Sequence, residues 1–141
     1  MRSVLCSLVL FIAPAVAIAA PVTVSDAWIR ALPGGLPAAG YFKLHNGSGH
    51  ALTLVGAKTA ACGDAMLHQS THMGGMAGMH DAPAIAIPAG GTLSFAPGGY
   101  HIMCMMPAAV VKPGAAVQVT LRFGDGSSVT ALFAVRGANG K

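Results

Sequence analysis

The chain has 141 residues, 54% hydrophobic and only 9% charged, with eight Lys or Arg against four acidic residues, all Asp. That length supports one domain with one modest core. The basic residues stand singly rather than in clusters with interleaved aromatics, which excludes a nucleic-acid interface, and four scattered Asp make a poor source of a hydrolase's paired carboxylates.

The chain opens with MRSVLCSLVLFIAPAVAIAAPVTV: one Arg, an apolar run from Val4 to Ile12, then small residues. This pattern predicts a cleavable secretory signal over 1–19, cut after Ala19, with the functional domain over 20–141. Pro14 interrupts a segment already shorter than the roughly 20 apolar residues of a membrane span, so no stable insertion is expected after cleavage. Cys6 lies too early and is wrongly flanked for a lipid anchor. The mature protein is therefore expected outside the cytoplasm, in a periplasm. There its two remaining cysteines, Cys62 and Cys104, form an even set where disulfides persist, and a bridge between them is the expectation.

From residue 22 onward the sequence reads as short strands separated by turn residues. Segments 22–30, 38–46, 50–58, 65–69, 84–88, 92–97, 100–106, 115–123 and 129–136 are alternating or rich in β-formers. Between them lie LPGGLP, NGSG, PAGG, PGG, KPG and GDGS, the punctuation of hairpins and tight loops. GDGSS is the firmest hairpin, and NGSG, flanked by His45 and His50, reads as another with solvated histidines. No stretch holds a helical period. The expectation is an all-β, single-domain antiparallel sandwich or small barrel with Greek-key connections. Residues 70–82 look too rich in glycine for a regular strand and read as a flexible loop. Trp28 and Tyr41 read as packing residues with polar tips, and Met66, Met105 and Met106 as core filler.

The chemistry concentrates in two places. HQSTHMGGMAGMH, residues 68–80, holds three His and three Met. YHIMCMM, residues 100–106, is the second concentration: strand alternation puts His101, Met103 and Met105 on one face and Tyr100, Ile102, Cys104 and Met106 on the other. His101 and Met103 then stand about 6.5–7 Å apart, close enough for their side chains to meet on one ion, and Met66 with His68 repeats the arrangement on another strand. Thioether sulfur is soft and neutral, and paired with imidazole it suits copper, particularly Cu(I). Outside the cytoplasm it also escapes the disulfide formation that disables thiols. No G-x-S-x-G elbow, phosphate-binding glycine loop or H-E-x-x-H pair is present, so the chain reads as a binding protein and not an enzyme.

With these segments in view, AWIRALPGGLPAAGYFKLHN, PGGYHIMCM and PGAAVQVTLRFGDGSSV resemble the periplasmic PCu(A)C copper chaperone family over nearly the whole mature chain. The family motif H-x10-M-x21-H-x-M is met in identity and spacing by His68, Met79, His101 and Met103. The resemblance implies a cupredoxin-like fold, one Cu(I) held by those four residues, and delivery of copper toward the Cu(A) centre of cytochrome c oxidase or respiratory oxidase assembly. The implied partner is a copper-receiving oxidase subunit or another copper chaperone, and the protein is expected to be a monomer. His72, Met73, Met76 and His80 exceed the motif, so they are candidates for an auxiliary, weaker copper site, with Met76 a substitute for Met79 after a small loop shift. Two other readings stay open. One is copper buffering or tolerance without a dedicated recipient. The other is a blue-copper electron carrier using Cys104, against which strand parity argues because Cys104 points away from the face of His101 and Met103.

Overall fold

The computed structural model describes residues 21–141, so the signal expected over 1–19 lies outside the described residues. Ten strands carry the fold: β1 (Val22–Arg30), β2 (Ala38–Asn46), β3 (Leu52–Lys58), β4 (Cys62–Met73), β5 (Met76–Asp81), β6 (Ile85–Ile87), β7 (Thr92–Phe95), β8 (Tyr100–Pro107), β9 (Ala116–Phe123) and β10 (Ser128–Arg136). A single 3-10 turn, Pro33–Gly35, links β1 to β2. The strand order is β5-β4-β8-β2-β1-β10-β9-β3-β6, with β7 paired to β2 off this path. The fold is all-β, as its composition of short alternating segments requires. Among the described residues no helix is long and apolar enough to cross a membrane.

Alternation builds the core. In β9 the inward positions Val117, Val119, Leu121 and Phe123 are buried while their neighbours face out. Phe42 sits at the centre, its ring centroid 4.3 Å from that of Phe95 and 5.6 Å from that of Phe133. β3 packs against β4, which folds one end of the sheet over the other and encloses Leu44, Leu54, Leu67 and Ile102.

Four expectations are corrected. The strand pairing is not wholly antiparallel: β1 and β10 run parallel, with Trp28 opposite Ala134 and Arg30 opposite Arg136. NGSG is not a hairpin: β2 pairs with β1, β7 and β8, while β3 pairs with β6 and β9. The cause is Asn46, fully buried, whose amide donates to the carbonyls of His50 at 2.9 Å, Ile87 at 3.2 Å and Pro88 at 3.1 Å and so turns the chain across the core. Residues 70–82 are not a loop: β4 runs to Met73 and β5 returns from Met76 as its antiparallel partner. Met106 is not core. Its backbone adopts φ +48°, in the left-handed region, and the side chain lies exposed beside Gly63.

Cys62 and Cys104 are disulfide-bonded, with Cα atoms 5.4 Å apart. The bond ties the start of β4 to the middle of β8, the two strands on which the chemistry concentrates.

Candidate metal centre

The centre is built by register. In antiparallel pairs, residues directly opposite share a face, and alternate residues along each strand share it too. β4 and β8 place His68 opposite His101 and Met66 opposite Met103, while β4 and β5 place Ser70 opposite Met79 and His68 opposite Asp81. His68, Met79, His101 and Met103 therefore all project from one face of the three-stranded β5-β4-β8 segment. The reverse face carries Leu67 opposite Ile102 and Ala65 opposite Cys104, which pack into the core.

The two imidazoles meet edge to face, ring centroids 5.7 Å apart. His101 is buried, 4% exposed, and its Nδ1–H donates to the Gly99 carbonyl at 3.3 Å, which leaves Nε2 as the free lone pair. Burial disfavours the imidazolium, and the neighbouring His68 and Arg30 add repulsion; against the opposing pull of the Gly99 carbonyl, these hold the His101 pKa below the usual histidine value. His68 is only 14% exposed, and Nε2 stands 3.0 Å from the exposed carboxylate of Asp81. Both ring nitrogens of His68 are buried and make no hydrogen bond. Leaving a buried polar atom unpaired costs about 1–3 kcal/mol, and such an atom in a native fold calls for an explanation such as a bound ion.

Met79, His101 and Met103 line one cavity of about 170 Å³, shared with Arg30, Tyr41 and Ser70. Met79 is 52% exposed and Met103 half-buried, so the site has a dry inner wall and a wet outer one. The Arg30 guanidinium is fixed rather than free: it donates to the Tyr41 hydroxyl at 2.6 Å and lies 5.4 Å from the centroid of the same ring. It is a permanent positive charge beside the site, and a lone arginine in β1 carries no sequence signal of that position. A larger cavity of about 410 Å³, bounded by Leu32, Leu36, Val111 and Lys112, is mostly apolar and holds no catalytic constellation.

Among the described residues, no three of His, Cys, Asp and Glu are placed to hold a metal. Any site here depends on thioethers, which is the donor chemistry of Cu(I). The blue-copper reading loses its thiolate, because Cys104 is 1% exposed, on the core face, and in a disulfide. The auxiliary candidates divide. Alternation puts His72 on the same face as His68, whereas Met73, Met76 and His80 are on the opposite one. Met76 is thus not a substitute for Met79 after a small shift: three residues apart on one strand, they point to opposite sides. Glycine content hid this hairpin, yet the signal was there. Gly74 and Gly75 form a two-residue turn with φ +59° and +80°, the left-handed pair that a type I′ hairpin requires.

Comparison with known proteins agrees with this architecture. The Cu(I)-bound DR1885 of Deinococcus radiodurans, solved in solution, is 38% identical, with 85% of this chain and 81% of that one aligned at a TM-score of 0.68. The copper-bound PCuAC domain of PmoF2 is 25% identical, covering 85% of this chain and 96% of the domain at a TM-score of 0.67. In sequence, a protein of Leifsonia xyli named "Putative lipoprotein Lxx21020" is 40% identical over 120 residues, 84% of this chain and 72% of the relative. The family model described as "Putative lipoprotein LpqE-like" matches residues 22–135, nearly every residue of the ten strands, and the chain belongs to this LpqE-like family.

Proposed function

We propose that this protein is an exported, non-enzymatic copper chaperone that holds one Cu(I) through His68, Met79, His101 and Met103 and passes it to the Cu(A) site of cytochrome c oxidase, directly or through another chaperone. The observation that carries the reading is the convergence of four soft or borderline neutral donors on one sheet face, where the ring nitrogens of half-buried His68 make no hydrogen bond. The copper-bound PmoF2 domain and Cu(I)-bound DR1885 lend it support by likeness, as does the lipoprotein name of the Leifsonia relative for export.

The mechanism follows from the donors. Two imidazoles and two thioethers bind Cu(I) without adding charge to the protein, and Arg30 beside them disfavours a dication more than a monocation. His101 and Met103 sit on β8, flanked on both sides by β2 and β4, and hold position. Met79 sits on β5, an edge strand, exposed on the solvent side. It is the donor that leaves first, opening one coordination position to an incoming ligand while three remain.

The test has two arms. Competition of the protein against a chromophoric Cu(I) chelator should give one tight equivalent, weakened by Met79→Ile and by His101→Ala; affinity unchanged in both variants contradicts the site. A deletion strain grown at low copper should lose oxidase activity and Cu(A) occupancy, restored by added copper. Normal occupancy would leave a buffering role in place of delivery.

A further inference from the structure

The β4–β5 hairpin carries donors on both faces, and only one face belongs to the site described above. On the reverse face, alternation aligns Gln69 with His80, Thr71 with Gly78, and Met73 with Met76. Met73 and Met76 close the hairpin across the Gly74-Gly75 turn and are 79% and 76% exposed, so neither contributes to the core. Exposed paired methionines at a hairpin tip gain nothing from burial.

Gly78 lies between Met76 and His80 on this face. A Cβ built there would stand 3.4 Å from His80 Nε2 and 3.1 Å from Thr71 Oγ1. The imidazole therefore leans along the strand toward the tip, over the space that a side chain at 78 would fill. From Gly78 to Met76 is a further two residues, about 6.5–7 Å of strand, within reach of a thioether side chain. His72 is excluded, since it projects from the other face.

We propose that Met73, Met76 and His80 form a second, solvent-facing site for a soft monovalent cation, Cu(I) or Ag(I), distinct from and weaker than the first. Two thioethers and one imidazole supply neutral soft donors. The glycine at 78 supplies the room. The site is weaker because its donors are exposed and must be ordered on binding, whereas those of the inner face are held by two neighbouring strands. It gives incoming copper a landing point at an exposed hairpin tip, on the same hairpin that carries Met79.

The experiment is a stepwise titration of the mature protein, labelled at its methionine methyl groups, with Ag(I) and with chelator-buffered Cu(I). Met79 and Met103 signals should move during the first equivalent and Met73 and Met76 during the second. The double variant Met73→Leu/Met76→Leu should bind a single equivalent, with the first affinity kept within about twofold because the two sets of donors share no partner. Gly78→Thr, which fills the gap without removing a donor, should also lose the second equivalent. Met73 and Met76 signals unmoved by excess metal, or a double variant that still binds two equivalents, overturns this proposal. Failure of Met79 and Met103 to move would contradict the inner site instead, so the two results are separable.

Discussion

The root and the tip of β4 are the same strand under different conditions. From Cys62 to Gln69 it is paired on one side with β8, tied to it by the disulfide, and backed by Leu67 in the core. Beyond Ser70 it leaves β8 and is held only by β5, with every residue from 72 to 77 exposed. The root carries His68 opposite His101, and the tip's partner strand carries Met79. The proposed site draws three donors from this platform and one from a projecting edge. In the proposed function, that difference separates holding copper from releasing it.

Breaking the platform should have the largest effect. Removing the disulfide by replacing Cys62 and Cys104 with Ser frees a loop spanning 42 positions in the unfolded chain. The expected loss is about 4 kcal/mol of stability by the loop-entropy relation, read by denaturant unfolding of oxidised wild type against the variant. Removing a platform ligand comes next. His101→Ala should weaken Cu(I) binding by more than about a hundredfold, since even the partners that orient ligands are worth 10- to 100-fold, and no neighbouring donor on β8 can replace it. Removing the edge ligand should cost less. Met79→Ile should lower affinity by roughly tenfold and raise the rate of Cu(I) transfer to a competing chelator, read by stopped flow, while Met76→Ile should leave the first equivalent's affinity unchanged.

A smaller effect sharpens the contrast. Burial holds the His101 pKa down, so the unfolded chain binds the proton more readily than the folded one. The metal-free protein should keep its full stability above the unfolded value of about 6.5 and lose part of it as pH falls through the lowered folded value. His101→Gln should flatten that part of the profile. A slope identical to wild type would mean that the proton goes elsewhere.

Much of the architecture was legible along single strands. Alternation in YHIMCMM put Ile102 and Cys104 in the core and His101 with Met103 on the other face, and both are so placed. What single strands do not encode is their partners. The parallel pairing of β1 with β10 joins the two ends of the domain, and no local pattern announces it. NGSG has the residues of a hairpin, but the hydrogen bonds of Asn46 to carbonyls over forty residues away decide its course. The hairpin at Gly74-Gly75 was legible and masked, because surrounding glycines lowered strand propensity while β4, already anchored at its root, carried the pairing outward. The four inner-face donors follow from spacing alone only through resemblance; the register explains why such spacing converges. Arg30 was invisible from sequence, since it reaches the site across β2 from a strand with no donors of its own.

The central claim is that His68, Met79, His101 and Met103 together hold Cu(I). X-ray absorption at the copper edge, on protein loaded with one equivalent of Cu(I), tests it most directly. The predicted result is a first shell of two imidazole nitrogens and two thioether sulfurs, with one sulfur lost in Met79→Ile and one in Met103→Ile. A shell without sulfur, or one that neither substitution alters, would contradict it.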